Sequence, residues 1–429
     1  MNKVQCFNIK RGINLYYIPA EKFKTVSVSV NFHRRLCGDE AAKNALITQV
    51  MSRGCRKYPD DISISKRLQE LYGAYFSSDV ARKGEDQLLS FVVNSVSDRF
   101  LQNGETCVAQ AVDMLFEMIL NPLVSDGGFK KDYVNQEKVN LINEIRAVIN
   151  DKRSYSAWRL VQNMCEGEAY AVHELGTEEK VGEQDRKSLY EHYKRILRES
   201  PVDIFVTGAV DIAQLCAFVE KKFAGIEPES AEIPKTALYS KDTEVREVTE
   251  EFDVTQGKLC VGFKTGIAHD DPRYCALMVY NGILGGGAHS KLFNNVRERL
   301  SLAYYASSRL ERYKGMMIVF SGIEICNKQK ALDEIFVQVE AMKNGDISDY
   351  EFEATKLSIV NSIKALGDSI SYLEDYYLGQ VVGGTMMSLS EFAEKIAEVT
   401  REQVTEVAAQ IKPQMIYFLT GKGGQNNAV

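Results

Sequence analysis

The most constraining feature of the chain is that it contains itself twice. Ala45-Leu46 followed by Gly54 returns as Ala276-Leu277 followed by Gly285, 231 positions later. Leu71-Tyr72-Gly73-Ala74-Tyr75 returns as Leu300-Ser301-Leu302-Ala303-Tyr304, and Asp132-Tyr133 as Asp349-Tyr350. Lys138, Asn143 and Ile145 return as Lys356, Asn361 and Ile363, and Gly176-Thr177 as Gly384-Thr385. The run from Val202 to Gly208 matches that from Met415 to Gly421. Each match is weak alone, but all keep one order while the offset falls from 231 to about 210. Repetition of that kind means one structural plan used twice. We therefore expect two homologous halves, residues 1–226 and 252–429. Between them, 227–251 carries eight acidic and three basic residues with Pro228 and Pro234, and reads as a linker.

Each half mixes strands and helices. Val26, Val28 and Val30 alternate with Ser27 and Ser29, the period-2 mark of a half-buried strand. Short β-rich runs recur at Leu88–Val93, Val202–Thr207, Leu259–Phe263, Met316–Phe320 and Met415–Leu419. Val108, Ala111, Val112, Leu115, Met118 and Ile119 fall on one helical face. Ser348-x-x-Glu351, Ser388-x-x-Glu391 and Thr400-x-x-Gln403 have the form of capping boxes opening helices. Strands come first, then helices, then a late strand. That order predicts an α+β fold: in each half a mainly antiparallel sheet with helices packed on one face.

Composition removes several classes of function. Lys plus Arg number 52 against 59 Asp plus Glu, a formal charge of −7, whereas binders of nucleic acid or acidic membranes are normally basic. No apolar run reaches the roughly 18 residues of a membrane span, and Met1 to Gly12 lack the apolar core of a secretory signal. Nine cysteines are scattered with no Cys-x-x-Cys pair, which argues against a zinc ribbon or thioredoxin-like site and for a reduced, cytoplasmic compartment. Gly285-Gly286-Gly287 is followed by Ala-His-Ser-Lys rather than the Gly-Lys-Ser/Thr of a phosphate loop. No Gly-x-Ser-x-Gly elbow occurs.

The stretch from Ile283 to Ser307, with its glycine turn, a helix ending near Arg297 and Leu302-Ala303-Tyr304 entering a strand, resembles the second-half signature of the insulinase-like peptidases (pitrilysin, the mitochondrial processing peptidase and bacterial relatives). Ala169 to Asp211 fits as well, and the resemblance covers nearly the whole chain. Lys57-Tyr58-Pro59 and Glu70 to Ala74 look like the degenerate bacterial member associated with elongation factor P 5-aminopentanol modification. The family resemblance implies a clamshell of two halves enclosing a chamber.

In active members of that family an inverted zinc motif, His-x-x-Glu-His, lies on a helix shortly before a glycine. Counting back from Gly54, its two histidines and its glutamate fall on Ala45, Gln49 and Thr48. None of the five histidines (33, 173, 192, 269, 289) builds the motif elsewhere. The family's third ligand, a Glu on a later helix, corresponds to Glu144, with Glu137 two turns earlier on the same face; the pair reads either as a relic of the metal site or as a solvated helix face. A catalytic zinc needs three protein ligands and an open water position. Alanine cannot ligate, glutamine is a poor ligand, and one Glu cannot hold the ion. The missing Glu is also the general base, whose loss alone costs about 10²–10⁴-fold in rate. We expect no catalytic residues, no metal and no cofactor.

The resemblance also implies that Arg297 and Tyr304 bind substrate, acting as fixed donors, and that Gly285, Gly286 and Gly287 form a flexible loop touching it. From the residues alone, a solvated helix end at Arg297 and a plain turn at the glycines are the simpler readings, and it is the resemblance that raises the substrate-binding one. The leading reading is a non-catalytic subunit that binds peptide or assists assembly, in a heterodimer with an active, zinc-bearing paralogue, or else in a homodimer. A structural scaffold with no peptide handling is the alternative. A third reading, an active peptidase with a shifted metal site, needs ligands converging from His33, Glu137 and Glu144.

Overall fold

The computed structural model describes residues 4–422 apart from 103, 227, 231 and 243. Its strands are β1 (Gln5–Lys10), β2 (Ile13–Pro19), β3 (Thr25–Arg35), β4 (Tyr75–Lys83), β5 (Asp86–Val96), the two-residue pair β6 (Val124–Ser125) and β7 (Gly128–Phe129), β8 (Val202–Gly208), β9 (Arg246–Phe252), β10 (Gly257–Lys264), β11 (Ala303–Glu311), β12 (Met316–Ile323) and β13 (Lys412–Gly421). They form a six-stranded sheet in the order β1-β2-β8-β3-β5-β4 and a five-stranded sheet in the order β11-β12-β10-β13-β9. All pairings are antiparallel except β2 with β8 and β13 with β9. The α+β expectation, with mainly antiparallel sheets, is met. All five β-rich runs lie within strands, and all three capping boxes form, with side chain and backbone bonded reciprocally.

Two compact units hold one large sheet each, the first also the β6–β7 pair, and they interleave in sequence. The first comprises Met1–Arg146, Val172–Lys235 and Asp368–Val382; the second comprises Ala147–Ala171, Thr236–Gly367 and Gly383–Val429. Arg246–Phe252, which begins inside the segment read as a linker and ends one residue beyond it, is β9, an edge strand on the second sheet. Its alternating exposure suits an edge that carries charge toward water.

In the first unit Val26, Val28, Val30 and Phe32 point into a core built with the Ala41–Ser52 and Val108–Leu120 helices. The alternation of β3 predicts that the other face is solvated, but Ser29 is 0% and His33 1% exposed. The cover is the Ile370–Val382 helix, which arrives from the far end of the sequence. Ser27 Oγ donates to Glu374 Oε2 at 3.1 Å. Lys83 Nζ meets Asp375 Oδ1 at 2.5 Å. Further along that face His33 lies between two buried aspartates, Nδ1 2.6 Å from Asp86 Oδ2 and Nε2 3.0 Å from Asp203 Oδ2. Burial alone would lower the pKa of the imidazolium, but the Asp86 charge and hydrogen bonds to both aspartates raise it to about 10.

The second unit repeats the arrangement in apolar chemistry. Phe263 on one face of its sheet meets Phe336 of the Lys328–Lys343 helix. On the other face Cys260, Ile318 and Tyr417 pack with Leu160, Val161 and Met164 of the Lys152–Met164 helix. That helix comes so close that a Cβ at Gly262 would lie 2.8 Å from Met164 Sδ and 3.0 Å from Leu160 Cδ2, so any larger residue there would push both side chains aside.

Candidate functional site

The motif positions lie on the Ala41–Ser52 helix, and two of the three face the core. Ala45 and Thr48 are buried. Thr48 Oγ1 donates to the Ala45 carbonyl at 2.8 Å, while the Thr48 carbonyl accepts from Ser78 Oγ at 2.8 Å. Gln49 reaches outward, and its Nε2 donates to Glu144 Oε2 at 2.9 Å. The fold thus brings together the two positions that the sequence reading placed around a metal, and an amide–carboxylate hydrogen bond joins them. Partial burial raises the Glu144 pKa; the Gln49 hydrogen bond opposes this and the charges of Asp79 and Glu174 add to it. Glu137 on the same Lys131–Ala147 helix is engaged elsewhere, with Oε1 3.6 Å from Arg53 Nε and Oε2 accepting from Asn140 Nδ2 at 2.9 Å.

This donor set does not fit zinc. One carboxylate, one amide and a buried methyl group fall short of three ligands. Among the described residues no three His, Cys, Asp or Glu side chains are grouped to hold a metal ion. His33 joins neither Glu137 nor Glu144, because both of its ring nitrogens are bonded to the buried aspartates. The shifted-site set drawn from the sequence is not assembled.

In the second unit Arg297 and Tyr304 lie in a stretch of irregular backbone. Leu292–Arg299 is a wide π-type helix, Ser301 has a φ of +48°, and the β11–β12 register slips between Ala303 and Tyr305, leaving Tyr304 as a bulge. π-helical turns, left-handed non-glycine residues and bulges are each costly and concentrate at functional positions. Arg297 is 43% exposed, its guanidinium 4.7 Å from the Phe293 ring centroid and its Nε 3.3 Å from Glu298 Oε1. Tyr304 is 52% exposed. In the first unit the related segment behaves alike: Tyr72 has a φ of +59° and Tyr75 is 60% exposed at the head of β4, which like β11 is a terminal strand.

The glycine run closes the Tyr274–Gly285 helix, and none of the three takes a left-handed conformation. A Cβ at Gly285 would lie 2.5 Å from Ser308 N, and one at Gly286 2.7 Å from Gly282 Cα. Close packing therefore dictates these two. At Gly287 the nearest neighbour is a side chain, the His289 ring at 3.2 Å, which has to yield only slightly. The sequence reading missed the backbone irregularity, which leaves no residue-type signature, and the His33 network, whose partners Asp86 and Asp203 are remote in sequence.

Comparison with known proteins agrees with this picture. The chain is 35% identical to the "Probable inactive metalloprotease YmfF" of Bacillus subtilis over 413 residues, covering 96% of this chain and 97% of that protein. The model of the Peptidase M16 inactive domain matches residues 185–359. The chain belongs to the M16 peptidase family. Among solved structures, a conserved protein from Enterococcus faecalis V583 superposes with a TM-score of 0.91 at 34% identity, covering 99% of this chain and all of that one (100%). A peptidase M16 inactive domain from Pseudomonas fluorescens superposes with a TM-score of 0.78 at 18% identity, covering 98% of each chain, which shows a common fold. In this M16 member the family fold is intact while the positions of the zinc motif hold no ligand set.

Proposed function

We propose that the chain is the non-catalytic subunit of a cytoplasmic M16 peptidase, binding peptide on its second unit beside an active, zinc-bearing paralogue. One contrast carries this reading. The zinc corner is closed by the Gln49–Glu144 hydrogen bond, yet the stretch from Leu292 to Tyr304 keeps its costly backbone and presents Arg297 and Tyr304 to solvent. A chain kept only as a scaffold has no use for that expense. An exposed guanidinium and phenol are suited to hold peptide carbonyls or an oxyanion formed at a partner's metal. The nine free cysteines fit a reducing compartment, and among the described residues no helix is long and apolar enough to cross a membrane.

The test is the native mass and composition of the complex this chain forms at its natural level in its own cells. A partner of similar size carrying His-x-x-Glu-His is expected. Arg297→Ala should then slow peptide turnover by that complex at least tenfold while leaving its assembly unchanged, since losing one such donor costs about 10²–10³ in rate at a well-formed oxyanion site. Recovery of the chain alone, or as a homodimer, would overturn the pairing. Unchanged turnover in the Arg297→Ala complex would make the chain a scaffold.

A further inference from the structure

The face of the five-stranded sheet that receives the Lys152–Met164 helix also carries two cations, Arg153 and Lys258, that form no side-chain ion pair among the described residues. On β11 Tyr305, Ser307 and Arg309 lie opposite Gly322, Phe320 and Ile318, and Ile318 packs against that helix, so all three point to this face. The Arg153 guanidinium, from the helix's first turn, lies 4.6 Å from the Tyr305 ring centroid and 4.8 Å from that of Phe320. Its Nη2 is 3.5 Å from Ser307 Oγ. Lys258 Nζ approaches the same Tyr305 ring at 5.7 Å, and its hydrogen-bond partner is Gln256 Oε1 at 3.5 Å. Tyr305 is seated by glycine: a Cβ at Gly322 would lie 2.4 Å from its Cε1.

Among the described residues no carboxylate pairs with Arg153 or Lys258. The nearby acids are committed. Asp151 caps the helix, accepting from Arg153 N at 3.0 Å, Ser154 N at 3.2 Å and Ser154 Oγ at 2.6 Å. Glu311 holds Arg309 at 2.8 Å and accepts from Tyr170 Oη at 2.6 Å. Partial burial lowers the pKa of Lys258, against the opposing pull of the Asp151 charge. Two cations approach one ring, the charge of Asp151 acts on both, and a guanidinium held over an aromatic ring keeps N–H groups for hydrogen bonding.

We propose that Arg153, Lys258 and Ser307, arranged round the Tyr305 ring, bind the carboxylate of an acidic side chain on an extended peptide lying along β11. The proposal rests on the peptide-binding reading above and adds a preference for glutamate or aspartate. A planar guanidinium edge beside an ammonium group matches a carboxylate. β11 is paired on one side only, so an added strand can place alternate side chains over this face.

The experiment is fluorescence anisotropy of the full chain with three short labelled peptides, in which alanine alternates with glutamate, with glutamine or with lysine. The glutamate peptide should bind about tenfold more tightly than the glutamine peptide, although the chain's own charge of −7 would favour lysine. The preference should shrink with added salt and vanish in the Arg153→Gln/Lys258→Gln variant. Equal binding of the glutamate and glutamine peptides would refute the carboxylate site and leave peptide binding standing. Binding of none of the three would refute both readings. The comparison of peptides on the unaltered chain decides the matter even if the double variant fails to fold.

Discussion

Gln49 and Glu144 show how little separates a metal corner from a structural one. The helix, the spacing and the downstream carboxylate all survive, and a 2.9 Å hydrogen bond now joins the two positions. Glu374 shows the opposite case, a titratable group that no sequence pattern marks. It is buried against the hydroxyls of Ser27 and Ser29, and burial raises its pKa to about 7; the serine hydrogen bonds oppose the shift and Asp375 adds to it. An acid whose folded pKa lies above its ordinary value of 4.5 holds its proton longer in the folded state. Stability is therefore lost as pH rises from about 4.5 to about 7, and the loss persists above that range. Glu374→Gln keeps the shape and removes the charge. Urea unfolding should find this variant more stable than the parent at pH 8, by up to about 3 kcal/mol, with the difference closing toward pH 5. A gap independent of pH would show that Glu374 is not the group responsible.

At the scale of elements, the helix starts were the most legible. Ser348, Ser388 and Thr400 each satisfy a backbone N–H at their own helix entrance, so a span of four residues carries the signal. The glycine run was legible as a turn but not in its purpose. Gly285 is needed because the helix end sits on Ser308, remote in sequence. Gly285→Ala should destabilise the chain by about 1–3 kcal/mol through a backbone clash, whereas Gly287→Ala should shift the melting temperature little, because it meets only a side chain. Thermal unfolding of the two variants checks this, and equal shifts would contradict the packing account. The irregular stretch from Leu292 to Ser301 was not legible at all, since its residues differ in no obvious way from those of an ordinary helix and turn.

For the whole molecule, interleaving of the units has the largest consequence. The polar face of β3 is buried by Ile370–Val382, and the second sheet is covered by Lys152–Met164. Expressed alone, residues 1–226 would leave Ser27 and Ser29 uncovered and without Glu374, their distant partner. We expect that fragment to lose its cooperative melt, and residues 1–226 and 227–429 made together to co-purify. A separate 1–226 fragment melting as sharply as the full chain would show that the covering helix is dispensable.

The sequence by itself determined the strands and helices, the α+β class and the loss of the zinc motif. Each of these depends on residues close together in the chain: period-2 alternation, a cap three residues from its partner, ligands four apart on one helix. Only the tertiary structure decided which faces are dry. The serines of β3 read as solvent-facing because alternation reports the chemistry of a face and not what lies over it. Their cover comes from more than three hundred residues away, and so do the hydrogen bonds that make burying them tolerable.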